Sequence, residues 1–463
     1  MTVKAIMPVR TLNLVVPLGH KPTAMRTTDT AAPAQAWSGA VAPLIGPRNS
    51  TGLRQGDVDS TQRRSTAPTT PGIRTSTMAT RTTTTRTPSC GAEQSADSTL
   101  PYAFVDLVQA YLDCRATKRN TASALAFEER LERNLVDLHA ELCTGQYRPG
   151  TSICFVNLRP KPREVWAATF RDRVVHHLVY NKISPRFYAS FIANSCACIP
   201  TRGTLYAAKR LEHSVRSVTQ NWSRPAHYLK MDLANFFVAI NKTVLREQIA
   251  HRVTEPFWLA LTETILFHDP RTDYRYQGDP ALMDLVPAHK RLLNSPADTG
   301  LPIGNLSSQF FANIYLDALD QFCKHQIGAK HYVRYVDDFV ILHESPQWLN
   351  AALARINAWL PERLGAHLNP TKTILQPVAR GIDFVGHVIK PWRRTTRPRS
   401  LATAVSRLRT MPAEDVFAAG NIYLGLIGQA SHGHADRATV ANVLLRRGHT
   451  VKGDLSKIYR RSK

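Results

Sequence analysis

The sequence predicts an α+β fold, and three observations carry that prediction. Apolar residues recur at helical spacing in 102–112 and 122–142, where Leu131, Leu135, Leu138 and Leu142 share a face. From about residue 230 to 390, short β-rich runs alternate with helix-compatible ones. Two of those runs, 331–336 and 339–342, flank the pair Asp337-Asp338 as strands flank the tip of a hairpin.

The chain has 463 residues, long enough for two to four domains and a large core. Hydrophobic residues make up 43% and aromatics 8%, which excludes a wholly disordered protein. No apolar run approaches the roughly 20 residues of a membrane helix, and Leu12–Leu18 is short and contains Pro17, so no membrane partner is expected. Lys and Arg number 59 against 35 Asp and Glu, a net charge of +24. Such an excess calls for a polyanionic partner, most economically nucleic acid. The seven cysteines are an odd number with no CxxC pair, so neither a disulfide scaffold nor a zinc ribbon is expected. Cys196 and Cys198 are expected to pack on one face of a strand in a reducing compartment, which makes the cytoplasm the expected location. His432 and His434 lack nearby thiolates and read as a solvated loop.

Residues 1–100 stand apart. Twelve of the 30 residues from Thr61 to Cys90 are Thr, with Arg interspersed and no apolar period. This low-complexity extension cannot bury enough surface to order itself and is expected to be disordered. A transit peptide, a nucleic-acid-binding arm, or translation starting at Met25 or Met78 would each account for it. Residues 391–463, with 14 Lys and Arg against 4 Asp and Glu, read as a basic, mostly helical tail.

The chemistry gathers in three carboxylates. Asp232 ends the β-like run His227–Asp232 and precedes the helix-compatible Phe236-Phe237. Alone, Asp232 would serve as a helix N-cap, and Asp337-Asp338 as a solvated turn. Brought together, three carboxylates make an all-oxygen site suited to Mg²⁺. Two such ions about 3.5–4 Å apart can run phosphoryl transfer, with the protein supplying position and charge.

Tyr335-Val336-Asp337-Asp338 resembles the YxDD box of reverse transcriptases, and Asp232 with Phe236-Phe237 resembles their first palm motif. Gly300-Leu-Pro-Ile-Gly-Asn-Leu-Ser-Ser-Gln309 lies between them like the family's nucleotide-binding motif. Residues 163–177 and 191–211, the latter with Arg202-Gly203-Thr204, resemble the fingers motifs; 368–373 and 383–387 resemble the last palm motifs. The resemblance covers roughly 102–430 and implies a right-hand polymerase: fingers at 101–228, a palm of antiparallel sheet backed by helices at 229–390, and a basic helical thumb at 391–463. It implies RNA-directed DNA polymerase activity: dNTPs join a primer 3′-hydroxyl on an RNA template, with two Mg²⁺ ions for which Mn²⁺ can substitute. Where most of the family reads Gln-Gly-x-x-x-Ser-Pro, this chain reads Ile303-Gly304-x-x-x-Ser308-Gln309. That variant resembles the reverse transcriptases of diversity-generating retroelements, which implies error-prone copying of a template-repeat RNA and a small basic accessory protein as partner. The rival readings are a bacterial reverse transcriptase with another role, such as phage defence, and a non-catalytic RNA-binding scaffold.

The resemblance also assigns roles. Asp232, Asp337 and Asp338 would be the metal ligands, Asp338 either directly or by tuning Asp337. Arg163 and Lys161 would contact the triphosphate or the RNA backbone. Phe237 would either sense the sugar, excluding a 2′-hydroxyl, or pack as a core aromatic. Ile303 would leave out a hydrogen bond that a Gln gives the incoming nucleotide, removing on the order of 1 kcal/mol of discrimination. Gly304 would let the backbone approach the nucleotide, and Gln309 would orient the loop or the template. Lys372 would protonate pyrophosphate or remain a solvated lysine. Arg393, Arg394, Arg397 and Arg399 would hold the backbone of an RNA–DNA hybrid or form a solvated charge run. Arg171, Asp172 and Arg173 read as a structural ion pair in an apolar helix.

Overall fold

The structure, a computed structural model, describes residues 101–117, 121–158 and 161–459; the expectation for 1–100 lies outside the described residues. Its first part is helical: α1 (Phe104–Thr117), α2 (Ala122–Glu128) and α3 (Leu131–Cys143). Leu135, Leu138 and Leu142 of α3 are buried in the main core, as their spacing requires. The strands β1 (Ser152–Asn157) and β2 (Arg163–Ala167) follow, then α4 (Phe170–Tyr188) and α5 (Thr204–Val218). Thr169 caps α4, its hydroxyl oxygen accepting the Asp172 N–H at 3.2 Å.

The central part contains β3 (His227–Asp232), α6 (Phe236–Ala239), α7 (Lys242–Ala250), α8 (Pro256–Phe267), β4 (Tyr274–Tyr276) and α9 (Leu306–Gln321). Then come β5 (His331–Tyr335), β6 (Asp338–His343), α10 (Pro346–Leu364), β7 (Ile374–Pro377), β8 (Ile382–Phe384) and β9 (His387–Lys390). The chain ends with β10 (Arg393–Thr396), α11 (Pro398–Thr410), α12 (Ala413–Ile427), α13 (His434–Arg446), β11 (Thr450–Val451) and β12 (Ile458–Tyr459).

A four-stranded antiparallel sheet, β5-β6-β3-β7, carries the candidate acids. Alternation sends its side chains into two different cores. Leu229, Met231, Phe339 and Ile341 enter the main core with α9 and α10, while Tyr228, Val340 and Leu342 enter a second core with α5, β8 and β9. Covering both faces explains why Phe339–Leu342 is an unbroken apolar run.

Two sheets join residues on both sides of the expected segment bounds, and one expectation, on the cysteines, is corrected. The sheet β8-β9-β10 crosses the expected boundary at 390, because β10 pairs with β9 from Arg393↔Lys390 to Thr396↔His387. The sheet β2-β1-β4 joins residues on both sides of the expected boundary at 228. Cys196 and Cys198 do not share a strand face, since Cys198 has φ of 53° and Cys196 follows an isolated bridge from Ser195 to Arg334. Burial still raises both thiols, to about 12 and about 11. His432 and His434 are exposed, with His434 opening α13.

Candidate functional site

The three acids meet at one end of the four-stranded sheet. β3 and β6 pair in a register that sets Asp232 opposite Asp338, and Val336-Asp337 is the two-residue turn joining β5 to β6. The Leu233 N–H donates to the Asp337 carbonyl at 3.3 Å, tying this turn to the end of β3. Asp232 does not cap a helix: the residue that precedes α6 is Asn235.

Val336 has φ of 57°, a left-handed conformation that is costly for a β-branched residue. Arg334 supports it by donating to the Val336 carbonyl at 3.1 Å. The same guanidinium donates to both carboxylate oxygens of Asp320 at 2.7 Å and to Ser195 Oγ at 2.8 Å. Tyr332 adds a hydroxyl donor to Asp320 at 2.6 Å. The sequence reading missed this network, although an Arg in the apolar run Tyr332-Val-Arg-Tyr335 was a signal: buried there, it needs an acid.

Burial and the neighbouring Asp232 and Asp338 raise the Asp337 carboxyl to about 7. Burial also raises Asp338, opposed by Lys230 and reinforced by Asp232. Lys372 Nζ lies 2.6 Å from Asp232 Oδ2, and Lys230 Nζ lies 3.2 Å from Asp338 Oδ2. Lys230 was also missed, though its period-2 spacing from Asp232 puts both on one face. Among the described residues no three His, Cys, Asp or Glu side chains stand as a metal-ligand cluster. The backbone register gathers the acids, while the side chains of Asp232 and Asp338 are turned to lysines. The donor set is nevertheless the hard, all-oxygen one that suits Mg²⁺, and the repulsion that adds to burial in raising Asp337 is what a cation relieves.

A cationic neighbourhood adjoins the acids. Lys161 is held below the usual lysine range by burial, then by repulsion from Lys372, Lys290, Arg163 and Arg399. Arg163, Lys290 and Arg399 are exposed. Lys290 was not foreseen, because it comes from a separate segment of single 3₁₀ turns between β4 and α9.

The loop 300–305 is stitched to two elements. Leu301 donates its N–H to the Phe237 carbonyl at 2.8 Å, and Gly300 to that of Ile240 at 2.8 Å. The Ile303 carbonyl accepts the Trp166 N–H at 2.7 Å. Phe237 is half-buried, its ring 5.2 Å from that of Phe236. Gly304 has φ of 131°, and a Cβ there would lie 2.8 Å from the Trp166 carbonyl oxygen. The missing Cβ thus permits a close approach to the backbone of β2. Ile303 and Gln309 are partly exposed, Gln309 in the first turn of α9.

The four tail arginines separate into two kinds. Arg394 is buried, ion-paired to Glu212, and donates to the Gln429 carbonyl at 2.7 Å. Arg397 is ion-paired to Asp383. These two are ion-paired to acids on α5 and β8, whereas Arg393 and Arg399 are exposed. Asp172 is buried and accepts from Tyr147 at 2.9 Å, Gly150 N–H at 3.0 Å and Thr169 at 2.6 Å, while Arg171 pairs with Glu141. That segment is structural, as expected.

A family model described as reverse transcriptase (RNA-dependent DNA polymerase) matches residues 144–389. Comparison with curated proteins gives no match. A solved telomerase from Candida albicans, in complex with a TWJ fragment of telomeric RNA, is 13% identical with a TM-score of 0.40, covering 65% of this chain and 56% of that one. An apo telomerase from Candida tropicalis, truncated from its C-terminal domain, is 13% identical with a TM-score of 0.38, covering 56% of this chain and 59% of that one. The matched region is thus less than two thirds of either telomerase chain.

Proposed function

Since the chain belongs to the reverse transcriptase (RNA-dependent DNA polymerase) family, we propose that it extends a primer 3′-hydroxyl with dNTPs on an RNA template, as the polymerase of a diversity-generating retroelement. The observation that carries the activity is the placement of Asp232 opposite Asp338, next to Asp337, with the cationic neighbourhood beside them. The narrower assignment is supported by Ile303-Gly304-x-x-x-Ser308-Gln309. Residues 101–228, 229–390 and 391–463 are read as fingers, palm and thumb, the palm being built on the four-stranded sheet.

Asp232, Asp337 and Asp338 would hold the divalent ions, Mg²⁺ or Mn²⁺. Bound there, such ions lower the pKa of the attacking hydroxyl and neutralise the leaving pyrophosphate. The rest is done by the chain's own groups. Lys161, Arg163, Lys290 and Arg399 bind the triphosphate, placing its α-phosphorus near the acids. The primer 3′-hydroxyl gives up its proton to solvent as its oxygen attacks that phosphorus, and the bond to the bridging oxygen breaks. Pyrophosphate leaves with the electron pair and takes a proton from Lys372, which the ion pair with Asp232 holds at the site. Phe237, whose carbonyl accepts the Leu301 N–H, is read as the large ring that excludes a 2′-hydroxyl. Ile303 offers the nucleotide no side-chain hydrogen bond, which relaxes the check on base-pair geometry.

Primer extension on homopolymer RNA tests the activity: the wild type extends with Mg²⁺ and Asp337→Ala does not. A wild type that fails to extend under any divalent ion sinks the reading and favours the scaffold. A template repeat and a variable repeat beside the gene test the narrower assignment; their absence favours a role such as phage defence.

A further inference from the structure

Trp222 and Trp392 form a ring pair on the segments before β3 and after β9. Trp222 precedes β3, whose six residues run to Asp232, about 17 Å at the usual strand rise. Trp392 lies in the turn between β9 and β10. The two ring centroids are 6.0 Å apart with planes at 51°, and Trp392 is 67% exposed. The Arg216 guanidinium lies over the Trp222 ring, 5.9 Å from its centroid.

Trp222 is held there at a cost. Gln220, Asn221 and Trp222 have φ of 46°, 53° and 76°, three consecutive left-handed residues without a glycine. Asn221 donates its N–H to the Arg216 carbonyl at 2.8 Å and Trp222 to Thr219 Oγ1 at 3.0 Å, locking the turn. Arg224 and Arg393, both exposed, adjoin the two tryptophans in sequence. Glu212, which pairs with Arg216, is also ion-paired to Arg394.

We propose that Trp222 and Trp392, with Arg216, Arg224 and Arg393, bind unpaired RNA at a site separate from the polymerase cleft. A base stacks on the open face of Trp392, and the arginines hold the flanking phosphates. Aromatic faces among cations suit single strands, because a duplex keeps its base faces to itself. A chain of net charge +24 favours a polyanion over a protein partner on this cationic patch. The choice of RNA over another single strand rests on the polymerase reading above.

The test uses the full-length protein saturated with a blunt RNA–DNA hybrid, to which a labelled, unstructured 12-nucleotide RNA is added and followed by anisotropy. Trp392→Ala weakens binding about tenfold, whereas Trp392→Tyr, which keeps a stacking face, stays within about twofold of wild type. Arg393→Ala lowers the salt slope by about one. Unchanged affinity in Trp392→Ala overturns the proposal, as does an equal loss in the Ala and Tyr variants. RNA binding indifferent to Trp392, with self-association of the chain lost on its substitution, also overturns it and makes the patch a protein interface. Extension of a short primed template, measured separately, is unchanged in Trp392→Ala. A wild type without extension refutes the polymerase reading, while the anisotropy result still decides this one.

Discussion

Arg334 donates to both carboxylate oxygens of Asp320 at 2.7 Å, fully buried beneath the turn that carries Asp337. The same guanidinium holds the carbonyl of Val336, whose left-handed backbone sets the direction of the neighbouring acid. A buried ion pair is here the support of a strained turn.

Arg334→Met should therefore destabilise the protein by about 3–5 kcal/mol, since it strands the Asp320 charge in the core. Denaturant unfolding measures this. The double variant Arg334→Met, Asp320→Leu should recover much of the stability but not polymerase activity, because the Val336 carbonyl stays unsupported. Recovery of both would show that the turn needs no such support.

Gly304→Ala should lower stability by about 1–3 kcal/mol, from strain at φ of 131° and a Cβ 2.8 Å from the Trp166 carbonyl oxygen. Displacing β2 also moves Arg163, so KM for dNTPs should rise. A thermal melt and a dNTP titration check the pair of effects; a variant with unchanged melting and KM contradicts the packing argument.

The tail arginines should separate by assay. Arg394→Ala leaves Glu212 without its buried partner and should lower the melting temperature by several degrees. Arg399→Ala, at an exposed position, should leave melting unchanged and raise KM for dNTPs about tenfold, without an equal fall in kcat. The reverse pattern would remove Arg399 from the triphosphate pocket.

Ile303→Gln should lower misincorporation several-fold on an adenine-rich RNA template, as one hydrogen bond of about 1 kcal/mol is restored to the geometric check. Sequencing of the cDNA measures it, and unchanged error rates would remove Ile303 from the account of fidelity.

His387 is buried, and burial followed by repulsion from Arg394 lowers its pKa from 6.5 to about 4. The unfolded chain then binds a proton that the folded chain refuses in this window. The stability of the neutral ring is complete above pH 6.5 and is lost as pH falls towards 4. Relative to His387→Gln, which has nothing to titrate, the wild type should lose unfolding free energy on acidification from pH 6.5 to 4. Parallel stability curves for the two proteins would refute it.

The sequence by itself carried the α+β class, the acids and the family. Tyr335-Val-Asp-Asp338 and Ile303-Gly304 are local strings whose chemistry is written in residue type and spacing, and β3 and β6 follow from apolar periodicity. Only the tertiary structure decided which charges are free. Arg394 and Arg399 are five residues apart and alike in sequence, yet one is spent on Glu212 and the other left in the open. Lys230, Lys290, Arg334 and the tryptophan pair likewise acquire their meaning from partners far along the chain. The physical reason is that a charge or a ring acts through what lies within a few ångströms, and local sequence does not state which distant segment that will be.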